Sequence, residues 1–321
     1  MSPAVPNSAV PKKGILAALW LPTDSEGNVC GDALGAHLRW LKGTGFHGVL
    51  ALGSTGAFPL LSLDQRKAAL DLIAEMAAPL PVIANISDIR PGVVAELGRH
   101  ARALGLPAVT IMPPGFYPSR QEDLLAHFLH AAGSSGLPVF LYNFPELTGT
   151  RIDIETVAAF ADRANMAGIK QSGGEFLYHK DLIALGREKN FVVFSGSDTR
   201  LPEVFALGAV GCIGGLANIA PEYMAGIYRA CLEGAGGVSP AFERLRFIGE
   251  TVDRLTFPLN VAAGMEARGI RVGATKALVS PASREIYNGI VRELAGAFHE
   301  WGLPAFESRP SPPAAEPPVG S

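Results

Sequence analysis

Residues 166–174, Met-Ala-Gly-Ile-Lys-Gln-Ser-Gly-Gly, put Lys170 at the end of a short apolar run, just ahead of a glycine turn. The run has the character of a buried strand. Removing an ammonium from water costs several kcal/mol. A lysine so placed therefore either sheds its proton or leads its charge out to solvent along the aliphatic stem. A neutral amine can attack a ketone and form a Schiff base. The stretch alone leaves both outcomes open, and the rest of the chain has to decide between them.

Other groups with chemistry to offer lie at the ends of similar apolar runs. Ser54 and Thr55 sit in Gly53-Ser-Thr-Gly56, Tyr142 opens Tyr142-Asn-Phe-Pro145, and Asp198 closes Gly196-Ser-Asp198. Each has a plain alternative: an ordinary turn for the hydroxyls, a core aromatic with its hydroxyl at the rim for Tyr142. Together they offer more. Hydroxyls and glycine-exposed amides can hold a carboxylate, a phenol can move a proton, and a desolvated amine can attack a carbonyl.

What could bring them together is a regular alternation. Strands are expected at 14–20, 48–52, 81–86, 108–112, 138–142, 166–170, 191–195 and 209–213. Helices are expected at 32–42, 64–76, 91–104, 121–133, 153–163, 175–189 and 201–207, with Asp32 capping the first and Ser62 or Asp64 the second. Strands apolar on both faces, alternating with helices, call for a parallel sheet. Eight such units in about 220 residues predict a (β/α)8 TIM barrel, an α/β fold whose strand C-termini share one mouth. An open doubly wound sheet is disfavoured because no G-x-G-x-x-G follows the first strand. The barrel is expected over residues 14–233, with a C-terminal helical region over 234–302. A flexible N-terminus is expected at 1–13, and a disordered Pro-rich tail at 303–321.

Composition removes several classes of function. A net charge of −3 leaves no basic footprint for nucleic acid. No apolar run reaches spanning length, and residues 1–13 lack the apolar centre of a signal peptide, so no membrane partner is expected and the cytoplasm is the expected compartment. The three cysteines, Cys30, Cys212 and Cys231, fit neither a disulfide framework nor a zinc site. His127 and His130 share a helix face, but nothing completes a metal site around them.

Gly53-Ser-Thr-Gly56, Tyr142-Asn-Phe-Pro145 and Gly168-Ile-Lys170, at these spacings, resemble the dihydrodipicolinate synthase / N-acetylneuraminate lyase family of class I aldolases, from about Gly14 to Glu222. The resemblance implies a (β/α)8 barrel with a C-terminal helical region and a homo-oligomer built as a dimer of dimers. It also implies pyruvate chemistry on a small-molecule 2-oxo acid. No metal or separate cofactor is implied, since the intermediate is an imine on Lys170. Tyr142 would be the general acid/base and Ser54 the relay hydroxyl. Thr55, with the amides of Ser54 and Thr55, would hold the substrate carboxylate. Main-chain groups of Gly196 and Ile213 would line the pocket, and Asp198 would contact substrate.

The departures bear on the substrate. Where dihydrodipicolinate synthases carry an arginine for aspartate semialdehyde, this chain has Leu147, which cannot bind an anion. The positions that serve the sugar tail in sialic acid lyases are Thr199 and Gly215, and the glutamate usual after Gly-Ser-Thr-Gly is Ala57. The pattern Phe194-Ser-Gly-Ser-Asp198 looks more like 2-keto-3-deoxy sugar acid aldolases, and Lys170-Gln-Ser-Gly-Gly more like 4-hydroxy-2-oxoglutarate aldolases. The expectation is an aldolase that releases pyruvate from a hydroxylated 2-oxo acid, with dihydrodipicolinate synthase as the alternative. Phe116 stands where the family's relay tyrosine reaches the neighbouring subunit, with Tyr117 one residue on. Tyr117 is therefore the candidate relay from the neighbour, and a barrel that binds without turnover is the non-enzymatic alternative.

Overall fold

The computed structural model describes residues 9–234, 239–303 and 305–306. Eight strands and their helices alternate: β1 (Gly14–Ala18), α1 (Gly31–Gly43), β2 (Gly48–Ala51), α2 (Leu63–Ala77), β3 (Val82–Asn85), α3 (Pro91–Ala103), β4 (Ala108–Ile111) and α4 (Gln121–Ser135). They continue as β5 (Val139–Asn143), α5 (Pro145–Thr148), α6 (Ile154–Ala161), β6 (Met166–Gln171), α7 (Tyr178–Lys189), β7 (Val192–Ser195), α8 (Leu201–Leu207) and β8 (Gly211–Gly214). Every neighbouring pair is parallel, and β8 pairs back onto β1, so the sheet closes into the expected (β/α)8 barrel. Four further helices follow: α9 (Pro221–Leu232), α10 (Pro240–Val252), α11 (Leu259–Ala267) and α12 (Pro281–Glu300). Among the described residues no helix is long and apolar enough to cross a membrane.

The strands are apolar on both faces because each face meets its own core. Leu16, Leu50, Ile83, Phe140, Phe194 and Ile213 plug the barrel interior, and a larger cluster packs between sheet and helices. The plug needs room for two rings, Phe140 and Phe194, at 6.0 Å. Gly168 supplies part of it: a Cβ there would lie 2.7 Å from the Phe140 ring and 2.5 Å from Val192 O. That explains a glycine two residues before the lysine, in the middle of a strand.

Several boundaries differ from expectation. Asp32 does not cap α1. The cap position is Cys30, and Asp32 lies in the first turn, where its charge suits the helix dipole. Ser62, not Asp64, caps α2, in a reciprocal capping box with Gln65. α7 begins at Tyr178 rather than residue 175, and the four-residue α5 was not foreseen. At the termini, Val10 packs on the barrel plug and Pro11 is buried, while residues 1–8 lie outside the described residues. Within the stretch expected to be a disordered tail, Leu303 and Phe306 pack on the core. Phe306 N donates to Arg268 O at 2.7 Å, and its ring meets Trp40 edge-on. Residues 307–321 lie outside the described residues.

Asn218, just past β8, fastens the mouth. Its Nδ2 donates to Ala18 O at 2.8 Å, and its Oδ1 accepts from Trp20 N at 3.0 Å. The same oxygen accepts from His37 Nε2 at 3.0 Å. Burial holds the His37 pKa down at about 4, against which the bond to Asn218 pulls upward.

Candidate active site

β5 and β6 pair with Tyr142 opposite Lys170 and Asn143 opposite Gln171. Side chains alternate along a strand, so one pair faces the barrel mouth and the other faces the helices. The outward pair locks the two strand ends together. Asn143 Nδ2 donates to Gln171 Oε1 at 2.8 Å, and Asn143 Oδ1 accepts from Ile152 N at 3.0 Å. All of this is buried, so the inward pair stands on a fixed base.

Lys170 is only 5% exposed and Tyr142 2%. Lys170 Nζ donates to Tyr142 Oη at 3.1 Å and sits 4.2 Å from the Tyr142 ring centroid. Tyr142 Oη in turn shares a hydrogen bond with Ser54 Oγ at 3.1 Å. The amine, phenol and hydroxyl therefore form one continuous chain, assembled from β6, β5 and the turn after β2. The snorkelling alternative for Lys170 fails, because its amine stays inside on a phenol.

The turn that carries Ser54 and Thr55 is bracketed by two non-glycine residues in the left-handed region, Leu52 at φ 55° and Ala57 at φ 56°. Such residues cost about 1 kcal/mol each and persist where surrounding contacts fix them. Asn85 Nδ2 holds Leu52 O at 2.7 Å, and Ala57 N donates to Ser54 O at 2.9 Å. Thr55 is buried, and its hydroxyl approaches Gly215, where a Cβ would lie 3.6 Å from it.

Gly196 is a packing requirement of the same site. A Cβ there would fall 1.9 Å from Ser172 Oγ and 3.2 Å from Lys170 Cε. Its N–H is already given to Gln171 O at 2.7 Å. Ile213 has its side chain in the barrel plug. Asp198 Oδ2 accepts from Leu216 N at 2.7 Å, and its Oδ1 accepts from Cys212 Sγ at 3.5 Å. Burial pushes the Asp198 carboxyl upward, opposed by the Leu216 N–H and then by the nearby Lys170 charge. Cys212, fully buried in β8, is thus a partner of this carboxylate, and burial pushes its thiol well up.

Sequence reasoning missed two supports. Glu146 accepts from Gly174 N at 2.6 Å and so ties the loop after β5 to the loop after Lys170. His179 spans Phe176 O at 2.7 Å and Ser195 Oγ at 3.0 Å, bracing the end of β7 from outside. Neither pairing has a local sequence signature. Tyr117 and Phe116 take no part in the Lys170–Tyr142–Ser54 chain: they are 69% and 85% exposed and pack edge-on against each other at 4.8 Å.

The profile of the Dihydrodipicolinate synthetase family matches residues 11–296. The chain belongs to that family. A 4-hydroxy-tetrahydrodipicolinate synthase of Rhizobium meliloti is 35% identical over 234 residues, 72% of this chain and 78% of its own. One from Methanothrix thermoacetophila is 29% identical over 276 residues, 85% of this chain and 92% of its own. Among solved structures, the Escherichia coli K12 prophage protein YagE, a family member crystallised with pyruvate, superposes with a TM-score of 0.80 at 25% identity. That match covers 91% of this chain and 99% of YagE. The 2-keto 3-deoxygluconate aldolase of Picrophilus torridus shares the fold, with a TM-score of 0.74 at 24% identity over 82% of this chain and 96% of its own. As a member of the dihydrodipicolinate synthetase family, the chain is an enzyme of the lyase type.

Within the family frame, the departures fall on short helical turns that follow the strands. Leu147 is 47% exposed on α5 and brings no cation. Thr199 turns its methyl towards α10, where a Cβ at Gly249 would lie 2.3 Å from it.

Proposed function

We propose that the protein is a class I aldolase that cleaves a hydroxylated 2-oxo acid to pyruvate and an aldehyde, or runs the reverse condensation. The observation that carries this reading is the unbroken chain from Lys170 Nζ through Tyr142 Oη to Ser54 Oγ, each link 3.1 Å. In the proposed sequence, Lys170 attacks the 2-oxo carbon and water leaves, giving a protonated imine. Tyr142 accepts the proton of the substrate's 4-hydroxyl, passing its own on to Ser54, while the C3–C4 bond breaks. The bonding pair then flows into the imine as an enamine, and the aldehyde departs. Protonation of C3 by Tyr142 and hydrolysis of the imine release pyruvate and restore Lys170. Ser54 relays protons to and from Tyr142. Thr55, with the amides of Ser54 and Thr55, holds the substrate carboxylate, Gly196 and Ile213 border it, and Asp198 faces the substrate hydroxyls. No metal or bound cofactor takes part in this scheme.

An uncharged hydroxyaldehyde is the favoured second half, because Leu147 offers nothing to a second carboxylate. Dihydrodipicolinate synthesis is the second reading, favoured by the names of the relatives at 29% and 35% identity. The binding-only alternative is not favoured, since amine, phenol and hydroxyl are all in place. We further propose a cytoplasmic homo-oligomer, a dimer of dimers, in which Tyr117 reaches the neighbour's site; the exposure of Tyr117 and Phe116 in the single chain supports it.

Pyruvate with borohydride tests the mechanism. A stable adduct is expected on the peptide that contains Lys170, and Lys170→Arg should lose both adduct and turnover. An adduct on a different lysine of an active preparation would overturn the scheme. A panel of 2-oxo acids scored for released pyruvate then separates the two substrate readings.

A further inference from the structure

Behind the Ser54–Thr55 turn, on the side towards the C-terminal helices, lies a cavity of about 330 Å³. Its walls come from Trp20 after β1, Ala57 after the turn, the link between α10 and α11, the stretch 272–279, and the start of α12. None of Lys170, Tyr142, Ser54 or Asp198 lines it. Most of the wall is apolar, and a few polar groups converge on it, which is the usual make-up of a small-molecule site; the volume is at the small end of the range of about 300–1,000 Å³.

The group that singles it out is Lys276. Its Nζ lies 4.4 Å from the Trp20 ring centroid and donates to Leu21 O at 2.5 Å. Among the described residues this carbonyl is its one hydrogen-bond partner, and no carboxylate lies within 4.0 Å of it. An ammonium has three N–H donors, so two remain for a ligand. Burial lowers the Lys276 pKa to about 8, against an upward pull from Cys30, so an arriving anion would replace hydration that the amine has lost. Arg284, at the rim, adds a second cation over the Tyr287 ring at 5.3 Å. The acid in the wall, Glu266, is already engaged by Tyr287 Oη at 2.5 Å.

We propose that this cavity is a second binding site, which takes a small monocarboxylate with an apolar body: the carboxylate on Lys276 Nζ, the body against Trp20 and the α10–α11 link. The charge pattern excludes a cationic ligand, and the apolar wall disfavours a sugar. Ala57 is both a wall of the cavity and the end of the turn that holds Ser54 and Thr55. An occupant therefore presses on the same strained turn that positions the candidate catalytic hydroxyls.

Calorimetric titration of the full chain with hexanoate, and with neutral hexanamide as control, tests the site. Hexanoate should bind at least tenfold more tightly than hexanamide, and Lys276→Met should remove that preference. Ala262→Leu, which fills the cavity from α11 without touching the lysine, should abolish hexanoate binding even if Lys276→Met proves unstable. Lys170→Arg should leave binding intact, which separates this site from the catalytic pocket. Equal binding of the amide, survival of the preference in Lys276→Met, loss of binding in Lys170→Arg, or no hexanoate binding with a Kd below about 1 mM would each overturn the proposal.

Discussion

Tyr142→Phe isolates the phenolic oxygen from everything else Tyr142 does. The ring, with Lys170 Nζ 4.2 Å from its centroid, stays, and so does its packing beside Phe144 at 6.2 Å. What goes is one oxygen that joins two 3.1 Å hydrogen bonds. The stability cost should be moderate: leaving a buried polar group without its partner costs about 1–3 kcal/mol, and the buried Lys170 amine and Ser54 both lose their shared partner without losing their places. The kinetic cost should be large. A positioned acid/base contributes about 10²–10⁴ in rate, which is about 3–5 kcal/mol in the barrier. Pyruvate release, followed by coupled NADH oxidation, should therefore fall at least a hundredfold. Borohydride with pyruvate should still label Lys170 to completion, because the attacking amine is untouched. If the variant turns over within tenfold of the parent, Tyr142 is not the proton carrier. If labelling is lost along with turnover, its role lies in holding the lysine.

Tyr117→Phe should lower turnover at least tenfold, about 1.4 kcal/mol, with pyruvate labelling and oligomeric state unchanged; normal turnover would mean that the relay runs through water. Leu147→Arg should raise kcat/KM with aspartate semialdehyde and pyruvate at least tenfold, and efficient dihydrodipicolinate synthesis by the parent would refute the preference for an uncharged aldehyde. His37 titrates at about 4 in the folded chain against 6.5 for an exposed histidine, so the unfolded chain binds the extra proton in that window and stability must fall as pH drops through it. At about 1.4 kcal/mol per pH unit, His37→Gln should relieve about 3 kcal/mol of the acid-induced loss between pH 7 and pH 4, read from urea melts; parallel melts of parent and variant would show that His37 is not the source.

The parts of this structure legible in the sequence are those in which one residue's environment is set by periodicity. β6 reads as buried because both of its faces meet apolar neighbours. Lys170 reads as anomalous because it breaks that rule at a strand end. The closed barrel then follows from repetition, and with it the meeting of Ser54, Tyr142 and Lys170 at one mouth. What escaped depends on contacts between distant segments. Ahead of the late start of α7, Gly174 gives its N–H to Glu146, 28 residues back. The carboxylate of Asp198 is fixed from β8 and the turn beyond it, by Cys212 and Leu216, 14 and 18 residues on. Phe306 is packed because Arg268 O and Trp40 receive it, and nothing in the composition of a proline-rich tail announces that.

The division between what is fixed and what varies also has a physical basis. Tyr142 and Lys170 are neighbours in strand register, with Asn143 and Gln171 bonded directly behind them, so their relative position can change only if two strands slip. A slip of one residue would turn both groups to the helix side, which the buried plug around Phe140 and Phe194 forbids. Leu147, Ala57, Thr199 and Phe116, by contrast, stand on loops and short helices whose backbone the sheet does not dictate. Substitution there alters what the mouth admits without moving the amine or the phenol. In barrels of this kind the strand ends carry the chemistry and the loops the selection, so under the proposed function these positions are the ones that would choose the aldehyde. Leu147, an exposed apolar side chain at the rim, therefore argues for an uncharged partner more strongly than overall identity to named relatives argues against one.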